Sequence, residues 1–126
     1  MSAEQTLVFV YGTLRQQESA HDLLEQCVHA GRASTRPQYT LHNMGPYPAM
    51  IDTGSTAVVG ELYWIPTHRL RVLDAYEDHP RLYERTTIQL DHPKHADAIA
   101  YLMRSADTRG FPTIPTGDWQ TIQESL

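Results

Sequence analysis

Five consecutive apolar residues near the start, Leu7-Val8-Phe9-Val10-Tyr11, are stopped abruptly by Gly12. A run this short, rich in β-branched and aromatic side chains and without polar alternation, reads as a strand buried on both faces. Such a strand needs apolar partners above and below it, so the chain has to wrap around it. The next apolar run, residues 62–65, is as short, and both fall far below the roughly 20 residues that cross a bilayer. A membrane protein is not expected.

The remaining pattern fills in what surrounds that strand. Ser19 with Asp22 approximates a helix start, and Leu23, Leu24, Cys27 and Val28 follow at helical spacing until Gly31, giving an expected amphipathic helix. Residues 38–42 read as a second strand, and residues 43–50, dense in Asn, Gly and Pro, as a shaped loop. Residues 57–65 form a longer strand interrupted by Gly60, a bulge or a close backbone approach, and Pro66 ends it. Residues 68–77 read as helix, 83–90 and 98–103 as strands, 107–115 as loop, and the tail from Thr116 as a last helical turn. Strands of this length with two helices between them give an α+β class with a curled, partly closed mixed sheet.

With 126 residues the chain supports one domain over 1–126 and buries roughly two thirds of its unfolded surface, enough for a core without staples. Cys27 is the only cysteine, and a lone thiol points to a reducing compartment, with the cytoplasm as the default. An acidic residue within residues 1–15, where an export signal needs a basic start, points the same way. Fifteen acidic residues outnumber ten scattered basic ones for a net charge of −5, which argues against nucleic acid as a partner.

Two constellations can carry chemistry. If residues 68–77 are helical at about 100° per residue, with Leu70 at zero, Leu73 falls near 300°, Tyr76 near 240° and Glu77 near 340°. Leu70, Leu73 and Tyr76 then face the core, and Glu77 lies inside the apolar stripe. Asp74 and Asp78, near 40° and 80°, point toward solvent. A carboxylate among apolar neighbours has a raised pKa and suits proton transfer near neutral pH. Equally, Glu77 stands just before Asp78-His79-Pro80 and can reach water or pair with Arg81 or Arg85 from a frayed helix end. In the second constellation, Tyr11-Gly12-Thr13-Leu14-Arg15, a strand that ends in Gly and Thr exposes backbone N–H groups, either for an anion or simply as an ordinary turn. It lacks the spacing of a P-loop or a dinucleotide fingerprint.

Weaker signals stand apart from these. His92 and His95 flank Pro93 and Lys94 without further ligands, so no metal is expected. Cys27 reads as a packing residue rather than a nucleophile. Tyr83 and Arg85, two apart on a strand, share a face and either flank a ligand or stack at the surface.

Taken in order, Val10-Tyr11-Gly12-Thr13-Leu14-Arg15, Gly45-Pro46-Tyr47-Pro48-Ala49, Val59-Gly60-Glu61-Leu62-Tyr63, Leu73-Asp74-Ala75-Tyr76-Glu77 and Tyr83-Glu84-Arg85 resemble the γ-glutamylcyclotransferase-like, or AIG2-like, family. Gly117-Asp118-Trp119 resembles its short bacterial branch. The resemblance implies a small mixed β-barrel flanked by helices, a substrate-binding loop at Tyr11, Gly12, Thr13 and Leu14, and Glu77 as catalytic acid/base. It further implies a small γ-glutamyl amine or dipeptide as substrate, released as 5-oxoproline and a free amine, with neither metal nor organic cofactor required. The varied leaving amine then falls to side chains, for which Tyr47, Tyr83, Arg85 and Tyr101 are the candidates. The alternative is a non-catalytic module of the same fold that senses a glutamyl-containing metabolite or docks a protein.

Overall fold

The apolar run lies in β1 (Gln5–Val10) and the residue after it, and in the computed structural model, which describes residues 4–124, both of its faces are buried. Successive side chains of a strand point to opposite sides. Leu7, Phe9 and Tyr11 accordingly join one apolar cluster with Leu62, Ile88 and Ala100, while Val8 and Val10 join a second with Tyr63, Ile65, Leu70 and Leu73. β1 pairs antiparallel with β5 (Val59–Pro66) and parallel with β7 (Asp97–Leu102), which makes the sheet mixed. Through β2 (Val28–Thr35) and β6 (Glu84–Asp91) it closes into a barrel in the order β1-β5-β2-β6-β7. A two-stranded antiparallel ribbon, β3 (Tyr39–Asn43) with β4 (Pro48–Thr56), lies apart from that ring. Two short helices, α1 (Leu70–Tyr76) and α2 (Trp119–Glu124), complete the α+β architecture.

Gly60 is a point of close approach between strands. A Cβ there would stand 2.3 Å from the Val10 carbonyl oxygen and 2.7 Å from the Phe9 ring, so only hydrogen fits where β5 passes β1. The bulge lies elsewhere, in β2, whose register against β5 shifts between His29 and Gly31.

Three expectations are corrected. The amphipathic helix over residues 19–31 is a single 3-10 turn, His21–Leu24: Glu25 ends it with an extended ψ of 135°, Gln26 follows with a left-handed φ of 68°, and Val28 then opens β2. Leu24 is that turn's buried residue, and Leu23 and Cys27 pack partly buried against the same cluster, while Val28 is exposed. The loop over 43–50 ends sooner than expected. Its turn chemistry is confined to the Gly45 region, where the Met44 N–H donates to the Tyr47 carbonyl at 3.0 Å, and Ala49, Met50 and Ile51 then run as buried strand. Finally, Leu70 and Leu73 face the core, but Tyr76 is 44% exposed. It is the last residue of a seven-residue helix, and its hydroxyl lies at the rim, 2.7 Å from Thr13 Oγ1.

One charged cluster is buried in this frame. Arg15 is only 2% exposed, with Nε donating to Glu61 Oε2 at 3.1 Å and Nη1 to Asp118 Oδ1 at 2.8 Å. The other Glu61 oxygen accepts from the Gln16 N–H at 3.0 Å and from the Tyr63 hydroxyl at 3.1 Å. Asp118 Oδ1 also accepts from the Gln120 N–H at 2.9 Å, which ties α2 into the cluster. Removing one member of such a set leaves uncompensated buried charge, at a cost of about 3–5 kcal/mol. Arg15→Met is therefore expected to lower stability by that order, read as a drop in the urea midpoint at unchanged m-value; an unmoved midpoint would show that the carboxylates need no counter-charge.

Candidate active site

A cavity of about 300 Å³ opens where the turn after β1, the ribbon turn, the end of α1 and the start of β6 converge. That volume is at the small end of the range for small-molecule sites, roughly 300–1,000 Å³. Tyr11, Gly12, Thr13 and Leu14 line it together with Pro46, Tyr47 and Pro48. Tyr76 and Glu77 come from the end of α1, with Leu82, Tyr83 and Tyr101 completing the circuit.

The turn of residues 12–14 presses its backbone against the ribbon. A Cβ on Gly12 would stand 2.7 Å from Pro48 Cγ, so glycine is what permits the approach. Its carbonyls are engaged: Gly12 accepts from the Arg15 N–H at 3.0 Å, Thr13 from the Ala20 N–H at 2.9 Å and Leu14 from His21 Nδ1 at 2.9 Å. None of these bonds uses the N–H groups of residues 12–14. The turn thus presents donors rather than acceptors, the polarity that suits a carboxylate or an oxyanion.

Glu77 follows the last residue of α1, with its N–H donating to the Leu73 carbonyl at 2.8 Å, and it lines the cavity. Burial pushes its carboxyl up to about 7. The arginines that could have neutralised it are committed elsewhere, Arg81 to Asp78 at 2.5 Å and Arg85 to Asp74 at 3.2 Å. A carboxylate held this way is ionised in part of the population at neutral pH, and so can both take and return a proton.

The tyrosines are fixed by bonds of their own. Tyr11 donates its hydroxyl to the Tyr101 carbonyl at 2.5 Å and accepts from the Met50 N–H at 3.1 Å. Tyr83 donates to the Pro48 carbonyl at 2.7 Å, and its ring meets that of Tyr47 edge-on at 6.2 Å between centroids. Burial raises all three phenols Tyr11, Tyr83 and Tyr101, reinforced by the Glu77 charge nearby, so they remain neutral walls. Tyr101 donates to Asp74 Oδ1 at 2.6 Å.

Of the residues singled out from the sequence, Tyr11, Gly12, Thr13, Leu14, Tyr47, Glu77, Tyr83 and Tyr101 lie around this cavity, and Arg85 does not line it. Arg85 is the cross-strand partner of Tyr101, and both reach Asp74. Asp74, expected to point idly to solvent, therefore holds a cavity tyrosine in place. Its position at the edge of the apolar stripe was the only sequence signal, and the partners that give it a role come from two other strands. Asp78 pairs with Arg81. The Cys27 thiol is pushed up by burial, a trend the nearby Arg69 only partly offsets. His92 and His95 stack at 5.3 Å, and among the described residues no group of three or more His, Cys, Asp or Glu could hold a metal ion. No described helix is long and apolar enough to cross a membrane.

Residues 8–121 match the family model described as gamma-glutamyl cyclotransferase, AIG2-like. A Vibrio cholerae protein named "Putative gamma-glutamylcyclotransferase" is 39% identical over 115 residues, 91% of this chain and 96% of its own. Human gamma-glutamylaminecyclotransferase is 35% identical over 96 residues, 67% of this chain and 61% of its own, so the chain spans about six tenths of that enzyme. The crystal structure of a mouse AIG2-like protein superposes with a TM-score of 0.79 at 24% identity, covering 89% of this chain and 87% of that one. With the ordered motifs lying in one barrel and around one cavity, and with the match running over nearly its whole length, the chain belongs to the gamma-glutamylcyclotransferase, AIG2-like family.

Proposed function

We propose that the protein is an active γ-glutamylcyclotransferase that converts a small γ-glutamyl amide into 5-oxoproline and a free amine, with Glu77 as its acid/base. The observation that carries this reading is the Glu77 carboxyl, raised to about 7 in a cavity that a donor-rich turn also lines. A pure binding module has no use for a desolvated acid that opposes folding.

The reaction needs little from the protein because the substrate brings its own nucleophile. The α-amine curls onto the γ-carbonyl carbon, a C–N bond forms to close the five-membered lactam, and the original amide C–N bond breaks. Holding the glutamyl unit in the curled form supplies most of the advantage, since the attack is intramolecular. The α-amine is mainly protonated at neutral pH; it must lose one proton before attack and a second as the lactam forms, while the departing nitrogen gains both and leaves as an ammonium. Ionised Glu77 takes each proton from the attacking nitrogen and, now neutral, delivers it to the leaving one. The N–H groups of residues 12–14 hold the α-carboxylate or the developing oxyanion. Tyr11, Tyr83 and Tyr101, already committed as donors, shape the walls and keep water from the carboxyl.

The substitution Glu77→Gln keeps the shape and removes the proton carrier. Turnover is expected to fall by about 10²–10⁴-fold while calorimetric binding of the intact amide stays within a few-fold; binding lost together with the fold would make Glu77 structural instead. The same change should stabilise the protein in a pH-dependent way. A carboxyl raised from 4.5 to about 7 binds its proton more tightly when folded, so wild-type stability falls as pH rises through that window. The gain from Gln is thus absent at about pH 4 and largest at about pH 8, on the order of 1–2 kcal/mol after screening through the open mouth.

Because the base must be ionised, kcat/KM is expected to climb about tenfold per pH unit below Glu77's raised value and to level off above about pH 7. A wild-type profile flat down to pH 5 would remove Glu77 from the proton path.

A further inference from the structure

The cavity contains one fixed negative group and no cation. Among the described residues that line it there is no Arg, Lys or His, and Glu77 is its only carboxylate. His79, two beyond Glu77, meets the Tyr101 ring edge-on and accepts from the Arg85 N–H through Nδ1, and His21, two beyond Ser19, bonds the Leu14 carbonyl. The arginines within two positions of the lining residues are all paired. Arg15, next to Leu14, is locked between Glu61 and Asp118; Arg81, next to Leu82, pairs with Asp78; Arg85, two beyond Tyr83, pairs with Asp74. On the cyclotransferase reading the glutamyl end of the substrate occupies the donors of residues 12–14.

What lies toward solvent is apolar. Tyr76 is 44% and Leu82 37% exposed, unusually open for large apolar side chains, and both belong to the cavity lining together with Pro46 and Tyr47. Apolar surface of this kind gains free energy when a hydrophobic group covers it. A leaving amine that carried its own carboxylate, as an amino acid does, would place a second negative charge near Glu77 with no cation to receive it, and would oppose the ionisation that proton transfer requires.

Resting on the cyclotransferase reading, we infer that the leaving amine is an apolar alkylamine or arylalkylamine with no charged group beyond the amine itself, selected by Tyr76 and Leu82 at the mouth, and that γ-glutamyl dipeptides are poor substrates. Selectivity arises from an absent counter-charge as much as from an apolar wall.

The test uses γ-glutamyl isoamylamide, γ-glutamyl phenethylamide, γ-glutamyl alaninamide and γ-glutamyl alanine, of which the last two differ only in a carboxamide for a carboxylate. Release of 5-oxoproline by the wild type gives kcat/KM, and calorimetric binding of the same intact compounds to Glu77→Gln gives affinity free of leaving-group reactivity. The two apolar amides are expected to exceed γ-glutamyl alanine by about tenfold or more in both measurements, with alaninamide between them. Leu82→Arg, at a position exposed enough to accept the change, should raise γ-glutamyl alanine selectively, by about fivefold or more, and depress isoamylamide. Equal or better binding and turnover of γ-glutamyl alanine by the unmodified mouth overturns the inference and leaves the cyclotransferase reading intact. If no compound yields 5-oxoproline, the cyclotransferase reading fails, and the order of binding to Glu77→Gln still decides the preference; no binding of any of them overturns both.

Discussion

The buried guanidinium of Arg15 is the interaction on which the rest of the site depends. Taking an arginine out of water is costly unless its charge is met, and here two carboxylates from distant parts of the chain meet it through Nε and Nη1. Glu61 comes from β5 and Asp118 from the segment entering α2, so the cluster joins the turn after β1, the barrel wall and the C-terminal helix in one electrostatic unit. The turn of residues 12–14, immediately before Arg15, thereby gains an anchor at its far end, and Gly12 against Pro48 supplies one at its near end. A donor-rich turn held at both ends is pre-organised, and pre-organised donors are worth more to a bound anion than mobile ones.

The doubly buried strand plays the complementary part. β1 splits its side chains between two apolar clusters, which lets a chain this small use one strand as the core of both the barrel and the layer beneath α1. The cavity opens where that strand ends, as the backbone leaves the ladder and its N–H groups are no longer used by a neighbour. Around it, Asp74 gathers Tyr101 and Arg85 from adjacent strands, and the ribbon carbonyl of Pro48 gathers Tyr83. Each bond spends a polar group on shape, and among the described residues that line the cavity Glu77 is left as the one carboxylate, in an apolar setting. A carboxyl raised by burial opposes folding once it ionises, and on the proposed cyclotransferase reading that same isolation is the property that proton transfer would use, a conflict between stability and activity common at functional sites.

Local signals account for much of this and fail in specific places. The burial of β1 on both faces followed from its composition, and Leu70, Leu73 and Glu77 followed from a helical period, because these depend on neighbours within one turn or one strand. The stretch 19–31 misled because Leu23, Leu24, Cys27 and Val28 keep a helical period that the backbone does not follow; an extended Glu25 ends the turn after Leu24, and Val28 opens a strand that pairs with β5. Tyr76 misled because its period places it beside the core while its hydroxyl and the helix end draw it to the rim. Arg85 shares a strand pattern with Tyr83, yet its guanidinium turns to Asp74 and away from the cavity lining.

By itself the sequence determined the mixed α+β class, the strand that must be enclosed, the turn that follows it and the carboxylate placed on an apolar helix face. Each of these rests on interactions between residues a few positions apart, which one-dimensional spacing encodes. Tertiary structure alone decided that Arg15, Glu61 and Asp118 form one buried cluster, that Asp74 orients Tyr101, and that the arginines near the cavity pair with partners other than Glu77. Those outcomes depend on pairings between residues up to 103 positions apart, set by barrel closure and strand register, and no local period carries that information.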